Sequence, residues 1–484
     1  MRFFSLFLLL PALSACDLFR GPTSPLSETC YTTPQTAEAA LPPGSVKAAY
    51  VPGRLLVSYR GGAVPRSGSQ KGASERQTSP QATAPQIARS VRERYGLEVV
   101  SQLGGGTLSE IVRVPTGVSV TELAETLRRD PRVRYAEPDY YLYPLGVPEG
   151  TLPDDPYLGE QWHLLDFGAP AAWRLETGES SVVLAVLDSG VDLSHEDLVG
   201  RTLPGCDVYN GDNDPNPGPP SQLGANQRHG THVAGIAVAS GDNDKGVAGV
   251  AYTGVQLLPV KVFDDSGADS QRTATSVVIR AIRWAAGESV DGMNRNPYPA
   301  DIINLSLGGK ADTPDGTIQT LSDAVQEARD AGALVVAASG NAGSADAIYA
   351  PANAPGALAV GSVDADYARS YFSNYSATGR SVDLMAPGGM GDNRCGSIYS
   401  TISPAFEGAT ESAYDCERGT SMASPFAAGV AALIWSQNPE LTDDEVEARL
   451  LSSTRYTPAM NRAEYGAGVI CADRALGAAT LCGE

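Results

Sequence analysis

Hydrophobic and polar positions follow two different rules along this 484-residue chain. Between residues 50 and 140, apolar side chains either alternate or return every three to four positions, the patterns of half-buried strands and amphipathic helices. Val51–Tyr59, Leu97–Gln102, Ser109–Val114 and Val133–Glu137 read as strands, and Ile87–Tyr95 and Val120–Arg129 as helices. Their order is βαββαβ, a split βαβ module, with a Gly/Ser/Gln/Pro-rich loop running to about Gln86. Beyond residue 180 the apolar residues come instead in unbroken runs, Ser181–Leu187, Asp301–Leu305 and Leu334–Ala338, as expected of parallel strands buried on both faces. Phe426–Trp435 is too apolar for a surface helix and is expected to thread a core. The expected fold is α/β, a mainly parallel sheet flanked by helices, preceded by a small α+β module.

Before residue 50 neither period holds. Arg2 followed by the apolar Phe3–Leu10 is too short to span a membrane as a stable helix and reads as an export signal. Leu13-Ser14-Ala15-Cys16 looks like a bacterial lipobox, which implies lipid attachment at Cys16; an ordinary signal cleaved nearby is the alternative. Residues 17–49, rich in Pro, Thr, Ser and Ala, read as a tether. The expected division is 1–16, 17–49, the module 50–145 and a larger domain 146–484.

Three polar breaks in the apolar runs offer chemistry. Ser421, in Gly419-Thr420-Ser421-Met422-Ala423-Ser424-Pro425, stands at the mouth of the apolar helix, where free N–H groups and the positive dipole end favour developing negative charge. An N-cap is the commoner role for such a serine. Pro425 is expected close enough to the helix start to need no intrahelical partner. Asp188 closes the Ser181–Leu187 strand at the carboxyl edge, where open α/β sheets gather ligands, although a lone strand-end aspartate more often makes a turn. His229 opens another apolar helix in His229-Gly230-Thr231-His232, and a base is what a serine hydroxyl needs to become nucleophilic. A metal pair at His229 and His232 is disfavoured, because the chain has four histidines and no His-Glu-x-x-His.

Taken in order, Asp188-Ser189-Gly190, His229-Gly230-Thr231-His232 and Gly419-Thr420-Ser421-Met422-Ala423 resemble the three signature blocks of the subtilisin-like serine proteases. The resemblance implies that Ser421 attacks a peptide carbonyl, that His229 serves as general base and then acid, and that Asp188 fixes the His229 tautomer; the order of the three is that of subtilisin itself. Leu334–Asn341 resembles the family segment whose Asn donates to the oxyanion, which implies that role for Asn341. Ser306-Leu307-Gly308-Gly309 is similar to the edge segment that pairs with substrate as an added strand. The blocks cover residues 188–425, and a looser likeness runs from about Asp154 to about Leu476. The module 50–145, closing in Tyr135-Ala136-Glu137-Pro138-Asp139, resembles the family's ferredoxin-like propeptide, an intramolecular chaperone; an unrelated accessory domain is the alternative.

Calcium is the metal implied. Asp197 lies in Ser194-His195-Glu196-Asp197-Leu198, which is similar to the family's calcium-ligand segment; Asn243 occupies the matching loop Gly241–Gly246, one residue longer than the common pattern, and Gln161 is a third candidate. Asp212-Asn213-Asp214, in an insertion over residues 209–227, is a candidate for another ion, and a solvated acidic loop is the alternative for all of them.

Charge adds a partner. The net charge of −21 divides into +3 for residues 1–150 and −24 for the remainder, a complementarity that favours docking of the propeptide. The acidity argues against nucleic acid. The expected partners are protein or peptide substrates, the chain's own propeptide, and a membrane only through a lipid anchor. Self-cleavage is expected within about Asp139–Leu152, after large side chains in Tyr140–Leu145, and would release the lipid with the propeptide. The expected location is extracellular, or lipid-anchored at the bacterial cell envelope.

Seven cysteines less Cys16 leave an even six, suited to disulfides in an exported protein. Cys395 with Cys416 would close a loop just before Ser421, Cys471 with Cys482 would staple the tail, and Cys30 with Cys206 would remain; a free buried thiol at Cys206 or Cys471 is the alternative. Ala342 beside Asn341, with no acidic cluster nearby, points to apolar or aromatic P1 residues. Two rivals stand: a catalytically silent binding protein on the same scaffold, disfavoured by the complete residue set, and a serine-carboxyl peptidase with an acidic base, disfavoured by His229 in its own block.

Overall fold

Six elements form between residues 50 and 140 in the order the periodicity predicts: β1 (Tyr50–Tyr59), α1 (Ala84–Tyr95), β2 (Glu98–Gln102), β3 (Ser109–Arg113), α2 (Val120–Arg128) and β4 (Val133–Tyr140). The structure, a computed structural model, describes residues 50–60, 83–103, 108–115, 118–140, 152–218, 228–264, 272–313, 316–390, 396–403, 412–478 and 482. The expectations for the export signal, Cys16, the tether, Cys30 and Cys395 lie outside these residues.

The four strands make an antiparallel sheet in the order β2-β3-β1-β4. Helix α1 begins at Ala84, earlier than its apolar period suggests, because Thr83 and Gln86 form a reciprocal capping box. Strand β4 runs past Pro138, which a central strand would not tolerate; it lies at the sheet edge, where a missing N–H costs no ladder bond. Ala88, Val91, Leu123 and Leu127 of the helices close on Leu55, Val57 and Val112, a core separate from that of the larger domain. Each fully buried aliphatic there contributes roughly 1.5–3 kcal/mol.

The larger domain is built on seven parallel strands, β5 (Val183–Asp188), β6 (Cys206–Asp207), β7 (Gln256–Lys261), β8 (Ile302–Leu305), β9 (Leu334–Ala338), β10 (Ala357–Val363) and β11 (Leu384–Pro387). They are ordered β11-β10-β9-β8-β5-β7-β6. The chain leaves β5 for one edge, returns through β7, then crosses to β8 on the other side, so the direction of winding reverses at β5. The carboxyl ends of strands at such a reversal open a crevice.

Helices α3 (Trp162–Leu165), α4 (Ala169–Ala172), α5 (His229–Val238), α6 (Thr275–Ala285), α7 (Gln319–Asp330), α8 (Thr420–Gln437), α9 (Asp443–Ser452), α10 (Arg462–Tyr465) and α11 (Ala472–Leu476) surround the sheet. Helices α5 and α8 pack together and are buried almost all round, whereas α6 and α7 bury one stripe each. A hairpin of β12 (Ile398–Ile402) and β13 (Ala413–Glu417) lies against α5. No described helix is long and apolar enough to cross a membrane.

Candidate active site

The crevice at the reversal collects the expected residues. Asp188 is the last residue of β5, and His229 the first of α5. The two elements touch because residue 230 is glycine: a Cβ there would lie 2.2 Å from the Gly190 carbonyl oxygen and 3.1 Å from Asp188 Cβ. Asp188 Oδ1 stands 2.8 Å from His229 Nδ1 and also accepts the Ser189 N–H at 2.7 Å. Its Oδ2 is buried without a partner among the described residues. A carboxylate at Nδ1 holds the proton there and leaves the Nε2 lone pair toward the crevice. Burial alone would lower the His229 pKa, but the charge and hydrogen bond of Asp188 outweigh it; with Glu417 adding and Arg228 opposing, the net direction is upward.

Ser421 lies in the first turn of α8, whose N-cap Gly419 has φ +151°, a conformation a side chain rarely adopts. Its hydroxyl donates to the Ser306 carbonyl at 3.1 Å, so a side-chain rotation separates this state from one in which it faces His229. Pro425 is not at the helix start, as the sequence suggests, but the sixth residue of α8. Lacking an N–H, it deprives the Ser421 carbonyl of its helical donor, and Ser306 Oγ supplies the replacement at 2.8 Å. Ser306 is in turn held by Asn304 Nδ2 at 3.0 Å, and Asn304 Oδ1 accepts from Ser424 at 2.6 Å.

Asn341 follows β9 and faces the same crevice. Its Oδ1 accepts both the Thr420 N–H and the Thr420 hydroxyl at 2.9 Å, while Thr420 Oγ1 accepts the Gly340 N–H at 3.2 Å. With its oxygen committed twice, the amide can present only Nδ2 as a free donor. Thr420 was not singled out in the sequence; its position directly before Ser421 is the one local signal.

The crevice holds about 650 Å³. Its lining includes Ser306-Leu307-Gly308-Gly309 and Gly340-Asn341-Ala342, and Gly309 and Ala350, both in that lining, exchange backbone hydrogen bonds at 2.9 and 3.0 Å. Apart from Asp188, no carboxylate lines it among the described residues.

Comparison with known proteins identifies the family. The model of the subtilase family matches residues 179–468, and that of the fervidolysin N-terminal prodomain matches residues 36–139. The chain belongs to the subtilase family. It is a serine endopeptidase with an N-terminal prodomain. An extracellular protease of Xanthomonas campestris is 33% identical over 458 residues, covering 88% of this chain and 73% of that protein. Thermitase of Thermoactinomyces vulgaris is 37% identical over 286 residues, 59% of this chain and 86% of its own. A solved protease from Pseudoalteromonas arctica superposes with a TM-score of 0.59 at 36% identity, covering 67% of this chain and 99% of that one.

The three residues expected to ligate calcium in this subtilase, Asp197, Asn243 and Gln161, do not all offer an oxygen to one point. Asp197 is fully buried, its Oδ1 accepting from Asn243 Nδ2 at 3.1 Å and its Oδ2 from the Val247 N–H at 2.9 Å. Gln161 is spent elsewhere: Nε2 donates to the Ala248 carbonyl at 2.7 Å and Oε1 accepts the Ala248 N–H at 2.9 Å, a clip on the backbone. The oxygen that stands uncommitted is on Asp155, whose buried Oδ1 has no partner among the described residues while Oδ2 accepts the Asp242 N–H at 2.8 Å. Burial, and then the charge of Asp197, push the Asp155 carboxyl up to about 7. Adjoining carboxylates with an orphaned oxygen are the hard donors calcium takes, so the residues fit the ion with Asp155 in place of Gln161. Asp212 and Asp214, by contrast, accept from the backbone N–H groups of residues 214 and 216 in local turns.

Of the cysteines in this subtilase, Cys471 and Cys482 are joined, S–S 2.10 Å, so Cys471 is not a free thiol. Cys416 lies on β13 opposite Tyr399, and its expected partner Cys395 is outside the described residues. Cys206 is buried on β6, its thiol pushed up to about 11 by burial and then by Asp207 and Asp212. The second histidine of the helix block, His232, turns Nε2 to the carbonyls of Ile398 and Asp415 at 3.0 and 3.2 Å, a structural role.

Proposed function

We propose that this protease works through Ser421, His229 and Asp188, with Asn341 as oxyanion donor. A substrate strand lies along Ser306, Leu307 and Gly308. Ser421 Oγ leaves the Ser306 carbonyl for His229 Nε2, which takes the hydroxyl proton as Oγ bonds to the peptide carbon. The oxyanion accepts from Asn341 Nδ2 and from the Ser421 N–H in the first turn of α8, and Asp188 stabilises the imidazolium. Breaking of the C–N bond takes the Nε2 proton to the leaving amine; water then repeats the cycle and frees the acid. The observation that carries this reading is the 2.8 Å Asp188–His229 hydrogen bond in a crevice that also holds Ser421 and Asn341.

The finer readings follow from the same site. Walls that, among the described residues, carry no carboxylate besides Asp188 and include the Arg272 cation disfavour a basic P1 side chain and support apolar or aromatic P1 residues, and preferential cleavage after Arg or Lys would refute this. Residues 50–145 act as a propeptide removed by self-cleavage, and the enzyme is exported, in keeping with relatives named extracellular proteases. The lipid at Cys16 and the Cys395–Cys416 bond belong to this reading. Calcium, held by Asp155, Asp197 and Asn243, would brace the loop over residues 241–247.

The deciding experiment expresses residues 17–484 as wild type and as Ser421→Ala, with intact mass measured before and after a serine-directed fluorophosphonate. The wild type should lose an N-terminal piece of about 130 residues and take the label, and Ser421→Ala should do neither. Two folded chains that both stay whole and unlabelled, at neutral pH with calcium, would favour the silent binding protein.

A further inference from the structure

We propose that Arg228 is a positioning residue: by bridging to Asp415 and Glu417 it locks β13, the strand that leads into Ser421, onto the first turn of the helix that carries His229, and Arg228 and Glu417 tune in opposite senses the potential that Asp188 sets at the His229 imidazole. The inference rests on His229 as the base.

Arg228 Nε stands 2.6 Å from Glu417 Oε1, and Nη1 stands 3.1 Å from Asp415 Oδ2. The two carboxylates are two residues apart on β13 and so share one face of the strand. The three side chains are 20, 14 and 15% exposed, largely withdrawn from water that would otherwise screen them. Helix stability does not account for Arg228. It is the N-cap of α5, makes no side-chain capping bond, and puts a cation at the positive end of the helix dipole. What the position does offer is reach: it adjoins His229 in sequence, and Glu417 lies four residues before Ser421.

The hairpin is pinned to α5 independently, by its Ile398 and Asp415 carbonyls to His232 Nε2, by Thr401 Oγ1 to the Thr231 carbonyl at 2.7 Å and by Ser400 Oγ to the His232 carbonyl at 3.0 Å. Loss of Arg228 therefore leaves the hairpin attached and acts on the fine position and the field. The charged and titratable groups around His229 are Asp188 from β5, Glu417 and Asp415 from β13, Arg228 and His232 on α5, and Arg272 from the crevice wall.

The test is kcat and KM across pH for enzyme matured from the full chain, as wild type, Arg228→Gln, Arg228→Lys and Glu417→Gln. Removing the cation should move the acid limb of kcat/KM up by a few tenths of a pH unit, and removing the Glu417 anion should move it down by a similar amount. Arg228→Gln should also lower kcat about tenfold with KM nearly unchanged, because the fault is in alignment. Arg228→Lys should leave the limb near its wild-type position yet restore kcat only in part, since an ammonium cannot reach both carboxylates as a fork does. An unmoved limb in Glu417→Gln, or limbs moving in the same direction in the two neutral variants, overturns the proposal. If Arg228→Gln does not mature, Glu417→Gln decides alone. Wild-type turnover in His229→Ala is a different failure: it removes His229 as the base, whatever the charges do.

Discussion

His163 offers the sharpest quantitative test of how the core is built. It sits in α3 with its ring fully buried, edge-on to Trp162 and Phe426 at 6.3 Å between centroids. Neither ring nitrogen has a partner among the described residues. Burial, and next the neighbouring His232, push its pKa down to about 3, against about 6.5 in an unfolded chain. The native protein thus refuses a proton that the unfolded chain accepts. The cost is absent above pH 6.5 and grows as the pH falls toward 3; at pH 5 it amounts to about 2 kcal/mol relative to pH 8. His163→Leu keeps an apolar side chain of similar size and removes the titration. In a Ser421→Ala background, which prevents self-digestion, urea unfolding at pH 8 and pH 5 should show the His163→Leu chain losing about 2 kcal/mol less than its parent over that interval. At pH 8 it should already be about 1 kcal/mol or more stable, because two unsatisfied polar atoms leave the core. Parallel losses in the two chains would show that His163 does not resist protonation, and the reasoning would fail.

Four further outcomes are expected. Asn341→Ala should lower kcat about 10²–10³-fold with little change in KM, the loss that follows removal of one preorganised oxyanion donor, as in subtilisin; a change confined to KM would deny the oxyanion role. Ser306→Ala strands the Ser421 carbonyl without a donor, at a cost of about 1–3 kcal/mol in unfolding free energy, whereas Ser306→Thr should retain most of the stability if its hydroxyl keeps the bond. Chelation of calcium should lower the melting temperature, more at pH 8 than at pH 5 because the ligands must be deprotonated, and Asp155→Asn should abolish most of that difference while Gln161→Glu should not mimic it. Arg329, 8% exposed, holds Asp443 at 3.0 Å and Glu447 at 2.9 Å across α7 and α9; Arg329→Met should cost about 3 kcal/mol in denaturant unfolding, with the contact to exposed Asp444 contributing little.

Much of this protein was legible one segment at a time. An unbroken apolar run ending in Asp188 announces a buried strand and its carboxyl edge, and the polar openings before two apolar helices announce His229 and Ser421, because burial and helix initiation depend on a residue and its near neighbours. The same locality made the βαββαβ order readable. Partnerships were not readable in this way. Whether Asp155 or Gln161 turns an oxygen toward Asp197, whether the carbonyl freed by Pro425 finds a donor in Ser306, 115 residues earlier, and whether Arg228 meets Glu417 all depend on which strands become neighbours. That is settled by the reversal of winding at β5, which sets the ends of β5, β8 and β9 side by side. Local pattern is enough to say which groups are buried or poised at an element's end; which of them meet depends on the packed fold, because a buried polar atom takes its partner from whatever the packing of distant segments brings within about 3 Å.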